Sequence, residues 1–172
     1  MKKTETKSVV LLKHHLKSLK LPTMNSECEK IAGRCAAENV DHLGFLLQLC
    51  EVELLERERR AADRRLKAAK FPTYKTLDNF DFTAQPSVNR PLITELARCA
   101  YIDNRENILL VGNAGTGKTH LATALAVEAC GRGKRVRFWR VTELITQLME
   151  AREERSLARM KGQLAKLDLL VL

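Results

Sequence analysis

Ile108-Leu109-Leu110-Val111-Gly112-Asn113-Ala114-Gly115-Thr116-Gly117-Lys118-Thr119 is the stretch on which the reading of this chain turns. A short continuous apolar run, the pattern of a strand buried on both faces, leads into G-x-x-x-x-G-K-T. Each position of that motif has a physical task. The glycines let the backbone curl until successive N–H groups point inward at phosphate oxygens, an approach that side chains would block. The helix that begins at Lys118 turns its positive end toward the same phosphates. Lys118 supplies a point charge for the β and γ phosphates, and Thr119 offers its hydroxyl to a Mg²⁺ that bridges them. Gly112, Asn113, Ala114, Gly115, Thr116, Gly117, Lys118 and Thr119 are therefore the candidate nucleotide-binding residues, with Thr119 also the candidate metal ligand. His120, the next residue on the helix, is counted with them by position, although packing is the ordinary fate of such a side chain and no chemistry is assigned to it.

Reading onward, a helix runs from about Lys118 to Cys130, with Gly131 as the left-handed residue that ends it. Val136 to Val141 reads as a second strand. Thr142 is placed to cap a long helix reaching about Leu164, and Leu167 to Leu172 starts a third strand. Strand–helix–strand alternation implies a parallel sheet with helices on both faces, the α/β architecture of phosphate-loop nucleoside triphosphatases.

Reading backward, Pro91 sits in the first turn of a helix reaching about Asn104. Residues 71–90 read as an irregular connector containing Phe80, Phe82 and Pro86. Before them the pattern is helical: about Val9 to Lys20, about Ser26 to Glu38, and a long helix from an Asp41 N-cap to Phe71-Pro72, where proline excludes the α conformation from the residue before it. In that long helix Leu43, Leu47, Cys50 and Leu54 share one face, widened by Leu46, Leu49 and Val52, and are expected to face a core. Residues 1–70 are thus expected to form a small all-α domain, and residues 71–172 the first part of the α/β domain.

The second half of the long helix changes character. Arg57, Arg60, Arg64 and Lys67 recur at spacings of 3, 4 and 3 and share a face. One reading lays that stripe along a DNA backbone, each cation neutralising a phosphate. The other is a solvated face, because Glu53–Arg57, Glu56–Arg60 and Asp63–Lys67 are i, i+4 pairs in the favourable order. The net charge of +9 raises the odds of a polyanionic partner without bearing on the fold.

The five cysteines are odd in number and lack a Cys-x-x-Cys pair, which argues against a disulfide framework and a zinc ribbon. Free thiols of a reducing cytoplasm are the simplest account. The apolar run Val9–Leu12 is too short for a signal-peptide core or a membrane span, so no membrane association is expected.

Hydrolysis needs more than a phosphate loop. An acid at the end of a neighbouring strand must hold Mg²⁺, and its sequence sign is an apolar run followed by Asp. Leu169-Leu170-Val171-Leu172 supplies the run, and the sequence stops where the acid is due. Asp168 precedes the run and reads as a surface acid at a strand start. No catalytic residue is assigned, and the sequence is expected to be a truncated form.

Together these blocks resemble the IstB family, ATP-binding helpers of bacterial insertion-sequence transposition that belong to the AAA+ ATPases and lie close to the DnaC helicase loaders. The resemblance is carried by Leu19-Lys20-Leu21-Pro22, the helix from Glu51 to Lys70 with Phe71-Pro72, the block Thr76-Leu77-Asp78-Asn79-Phe80-Asp81-Phe82, the extension Gly115 to Ala122, and Leu167 to Leu172. It implies a helical N-terminal domain that serves DNA binding and assembly, and a Leu77–Phe82 segment near the adenine. It further implies self-association with ATP and DNA, and partnership with the transposase of the same insertion sequence. Intact relatives hydrolyse ATP, a step that the missing strand-end acid would remove. Ala114 stands where such loops commonly have proline. The resemblance also implies that the strands flanking Ile108–Val111 come later than Leu172, leaving its edges unpaired and the isolated chain poorly stable. Two other readings stay open: a helicase-loader-like interaction protein, and a remnant of a disrupted transposon gene.

Overall fold

The computed structural model describes residues 7–172. The chain divides into two compact units, one ending at Arg60 and the other beginning at Ala61. The sequence reading puts the domain join near residue 70; this division falls inside the long helix instead.

The described part of the first unit is helical. It comprises α1 (Lys7–Ser18), α2 (Pro22–Ala37) and the greater part of α3 (His42–Ala69). Lys20 adopts a left-handed conformation, φ 58°, and Leu21 N–H closes back on the Leu16 carbonyl, so α1 ends without glycine. Pro22 then opens α2, where its missing N–H costs nothing. Asn39, φ 53°, repeats the same closure through Val40 N–H and the Cys35 carbonyl. Asp41 caps α3 as expected, its Oδ1 accepting from Gly44 N–H at 2.8 Å.

The core of this unit is Cys28, Ile31, Cys35 and Leu49, with Met24, Val40, Phe45 and Val52 packed around them. The expected core face of α3 is therefore only partly right. Leu49 and Val52 pack, but Leu43, Leu47 and Leu54 are 76%, 59% and 58% exposed. The first half of α3 is apolar on nearly all sides, and the side carrying Phe45, Leu49 and Val52 is the one that meets α2.

The second unit contains the end of α3, then α4 (Arg90–Leu96), α5 (Ala100–Asp103), α6 (Lys118–Gly131), β1 (Val136–Phe138), α7 (Val141–Glu153), α8 (Leu157–Leu164) and β2 (Leu169–Val171). Strands β1 and β2 form a two-stranded parallel sheet in the register Val136↔Leu169, Arg137↔Leu170 and Phe138↔Val171. Asp168 sets that register. Its carboxylate accepts from Arg135 N–H at 2.7 Å and from the Arg135 guanidinium at 3.1 and 3.2 Å, while Asp168 N–H donates to the Arg135 carbonyl at 2.8 Å. Those guanidinium and amide hydrogen bonds hold the Asp168 carboxyl below its ordinary range. Asp168 thus stands immediately before β2, at the strand start where the sequence reading put it.

Helix α6 packs on both strands. The largely small side chains Ala126, Ala129 and Cys130 join Ala69, Cys99, Val136 and Val171 in one core cluster, and small residues are what allow a helix to lie close to a sheet. Arg65 donates to the Cys130 carbonyl at 2.8 Å, a cation at the end where the helix dipole is negative. Burial pushes the Cys99 thiol up and the Cys130 thiol to about 11, so these cysteines are packing groups and not nucleophiles.

Several element limits differ from expectation. Helix α6 continues through Gly131, and the left-handed residue is Gly133, φ 88°. Strand β1 stops at Phe138, and α7 starts from Arg140, so Thr142 lies inside the first turn and does not cap it. The expected single helix to Leu164 is two, because left-handed Arg155, φ 58°, lets Ser156 N–H reach the Ala151 carbonyl. The expected helix to Asn104 is broken at Cys99, whose backbone is left-handed, φ 65°. The expected strand Ile108–Val111 joins no sheet among the described residues. Its side chains alternate: Ile108 and Leu110 pack against a second core cluster of Phe80, Ile93, Leu121 and Leu125, while Leu109 and Val111 are 86% and 93% exposed.

Candidate nucleotide-phosphate site

The extended segment Ile108–Val111 delivers the chain to Gly112, and α6 carries it away from Lys118. Between them the backbone reverses through two left-handed glycines, Gly115 (φ 78°) and Gly117 (φ 82°). A Cβ on Gly115 would meet no atom within 4 Å, so the curl faces open space there. A Cβ on Gly117 would lie 2.7 Å from Phe80 Cε2, so glycine is required at that position twice over, by φ and by contact.

Gly117 is the N-cap of α6, with no side chain capping it, and its carbonyl accepts from Leu121 N–H at 2.9 Å. The N–H groups of the first turn are those that an α-helix cannot satisfy internally, and here they lie beside the curl. The Asn113 carbonyl is the loop's internal anchor. It accepts from Thr116 Oγ1 at 2.9 Å and from Lys118 Nζ at 2.6 Å, which folds the ammonium back over the loop. Thr119 is exposed on the first turn. The unpartnered helix amides, the ammonium and the exposed hydroxyl are brought together within one loop and one helix turn. This donor set suits a triphosphate with its cation: donors for the anion and a neutral oxygen for a hard metal. No cluster of three or more His, Cys, Asp or Glu side chains able to hold a metal occurs among the described residues.

His120 faces the other way. Its Nε2 lies 3.0 Å from the Thr76 carbonyl, and its ring stands edge-on to Phe80 with centroids 5.2 Å apart. It packs behind the loop, against the connector. Sequence reasoning placed the Leu77–Phe82 block by resemblance alone and missed the Phe80 contact with Gly117. The available signal was the recurrence of large apolar residues, Leu77, Phe80 and Phe82, within a stretch otherwise read as irregular.

The four cations of α3 do not behave alike. Arg57, Arg64 and Lys67 are exposed. Arg60 is turned onto its own unit: its guanidinium donates to Thr23 Oγ1 at 3.0 Å, to Glu53 Oε1 at 3.1 Å and to the Glu56 carbonyl at 3.0 Å. Glu53, 2% exposed, also accepts from Thr23 N–H at 2.8 Å and Met24 N–H at 3.0 Å. It thereby caps α2 from 29 to 30 residues away. Burial raises the Glu53 carboxyl, but the two amides and Arg60 outweigh it, and its pKa lies below the ordinary 4.5. Arg57 approaches the same carboxylate at 3.7 Å, realising the expected Glu53–Arg57 pair. Glu56 pairs instead with Arg59, at 2.8 Å.

Comparison with known proteins agrees with this geometry. The profile of the IstB-like ATP binding protein family, IstB_IS21, matches residues 14–172. The insertion sequence IS21 putative ATP-binding protein of Pseudomonas aeruginosa is 38% identical over 157 residues, covering 91% of this chain and 59% of that protein. The IS5376 putative ATP-binding protein of Geobacillus stearothermophilus is 38% identical over 154 residues, covering 90% and 61%. An IS21-like putative ATP-binding protein of Bacteroides fragilis strain YCH46 is 30% identical over 156 residues, covering 91% and 78%. The chain thus spans 59% and 61% of the length of the first two relatives. The matching profile, the relatives and the phosphate loop agree: this chain belongs to the IstB-like ATP-binding protein family.

Proposed function

We propose that this chain binds ATP with Mg²⁺ through Gly112–Thr119 and serves as a nucleotide-dependent, DNA-associated helper of insertion-sequence transposition. The observation that carries the reading is the loop itself, with left-handed Gly115 and Gly117 and with Lys118 Nζ folded across the Asn113 carbonyl at the N-terminus of α6. On binding, Lys118 would leave that carbonyl for the β and γ phosphates, the first-turn amides would take phosphate oxygens, and Thr119 would hold the magnesium. The metal would supply charge neutralisation; every other contact in this reading comes from the chain. The names of the relatives support ATP and an insertion sequence, and nothing beyond those words is taken from them.

In this reading, residues 1–70 act as a helical domain for DNA contact and assembly, and residues 71–172 form part of an AAA+-type ATP-binding domain. Of the α3 stripe, Arg57, Arg64 and Lys67 meet DNA phosphates, while Arg60 supports the cap of α2. The transposase of the same insertion sequence, and further copies of the protein on DNA, are the proposed partners, and the cytoplasm the proposed location. Among the described residues no helix is long and apolar enough to cross a membrane. Asp168 is committed to Arg135 and is given no part in nucleotide chemistry.

The test is a titration of a fluorescent ATP analogue with Mg²⁺ against wild type and Lys118→Ala. Loss of the ammonium is expected to weaken binding at least tenfold, about 1.4 kcal/mol or more. Equal affinities would remove the phosphate-loop assignment.

A further inference from the structure

Glycine at a left-handed position is free to leave it, since it populates both signs of φ with similar ease and loses the most backbone freedom on ordering. Something other than Gly117 must therefore hold Gly117 at φ 82°. The ring of Phe80 occupies the space that a side chain there would fill, with Cε2 2.7 Å and Cζ 3.3 Å from the ideal Cβ position. Phe80 is itself fixed. It is 8% exposed, clustered with Ile93, Leu121 and Leu125, and edge-on to both Phe82 (4.8 Å) and His120 (5.2 Å).

The connector that carries Phe80 is tied to α6 at its start and folded on itself past the ring. At its start, His120 Nε2 meets the Thr76 carbonyl at 3.0 Å; because a carbonyl only accepts, Nε2 carries the proton. Phe80 N–H then turns back to the Leu77 carbonyl at 3.1 Å. Past the ring, Asp81 Oδ1 accepts from Thr83 N–H at 2.8 Å, Thr83 Oγ1 at 2.6 Å and Ala84 N–H at 3.2 Å.

We propose that Phe80 is a positioning residue for nucleotide binding, acting through Gly117, and that His120 anchors the connector that presents it. The proposal rests on the ATP-binding reading for its functional consequence but not for its geometry. Without the ring, Gly117 samples other conformations, and apparent affinity falls by the fraction of time spent in the competent one. The coupling is reciprocal: a nucleotide that fixes the loop must also steady the connector.

The experiment compares Phe80→Ala with Ile93→Ala, which removes a neighbour in the same core cluster without touching Gly117. Phe80→Leu is the fallback, keeping apolar volume but losing the ring edge. Hydrogen exchange without nucleotide is expected to speed up at Gly115–Lys118 in the Phe80 variant and not in Ile93→Ala. The affinity for a fluorescent ATP analogue with Mg²⁺ is expected to fall about tenfold in the Phe80 variant and less than about twofold in Ile93→Ala. His120→Ala should weaken binding, and His120→Gln, whose amide can donate to the Thr76 carbonyl, should restore most of the loss. In wild type the nucleotide should slow exchange at residues 76–84 as well as in the loop. Equal losses in the Phe80 and Ile93 variants overturn the proposal, as does a connector indifferent to saturating nucleotide. A wild-type chain that binds no nucleotide removes the ATP reading instead, and the nucleotide-free exchange then decides the positioning claim alone.

Discussion

Replacing Glu53 is the sharpest perturbation that the first unit offers. The carboxylate is 2% exposed and satisfies two of the amides that open α2, Thr23 at 2.8 Å and Met24 at 3.0 Å, together with the Arg60 guanidinium at 3.1 Å. A hydrogen bond to a charged group contributes about 1.5–3 kcal/mol, and breaking a buried charged pair costs about 3–5 kcal/mol because the partner is stranded. These bonds share one carboxylate and do not add. Arg60 is partly exposed, and water can reclaim it. Glu53→Ala is therefore expected to cost about 3 kcal/mol, and Glu53→Gln, which keeps an acceptor but no charge, about half of that. With a urea slope of about 1.5 kcal/mol per M, the alanine variant unfolds about 2 M earlier, followed by far-ultraviolet circular dichroism. The pH arm is independent. The folded pKa of Glu53 lies below 4.5, so its contribution is fully present above that value and is lost as pH falls through the lower folded value. Wild type should lose the stability difference from Glu53→Gln in that acid window and keep it at neutral pH. Variants within about 0.5 kcal/mol of wild type at pH 7 would refute the cap, because that is the size of an ordinary surface change.

Three further outcomes can be measured on the same material. Arg60→Ala is expected to destabilise without changing the salt dependence of DNA binding, whereas Arg64→Ala should leave the melt in place and reduce the salt slope by about one. Asp168→Ala loosens the pairing of β1 with β2 and costs about 1 kcal/mol, a figure held down by solvent screening of this partly exposed pair; Mg²⁺-nucleotide affinity should not change. Leu109→Lys places a charge on the open side of Ile108–Val111 and should lower self-association, read as sedimentation at rising concentration, whereas a wild-type chain that is already monodisperse with a sharp melt would contradict the exposed-edge reasoning.

How much could be read beforehand differs from element to element, for physical reasons. The phosphate loop was legible because its demands are local: glycine where φ is positive, lysine and threonine at the start of a helix. The Asp41 cap was legible for the same reason. Helix ends closed by non-glycine residues at Lys20, Cys99, Arg105 and Arg155 were not, since nothing in those residue types announces a left-handed turn; Asn39, of a type that visits that region readily, was the one such end with a local signal. Only the tertiary context requires a left-handed turn at the other four. The packed side of α3 was half legible: periodicity reveals that apolar faces exist, and only the position of α2 selects Leu49 and Val52 over Leu43 and Leu47. Glu53 and Arg60 read as members of two separate i, i+4 pairs on a solvated helix, with Arg57 and Glu56, because the Thr23 and Met24 groups they serve lie in another helix. Phe80 was hidden likewise, its partner being a glycine far along the chain.

The strand-like run Ile108–Val111 has a consequence for energetics beyond solubility. It hands the backbone directly to Gly112, yet no ladder steadies it from the side among the described residues. The lead into the loop is thus held by the packing of Ile108 and Leu110 on the cluster around Phe80, without backbone hydrogen bonds from a neighbouring strand. Any strand laid along that run would add those bonds and, in the ATP-binding reading, tighten the grip on the nucleotide, and the nucleotide would in equal measure favour the docking of that strand.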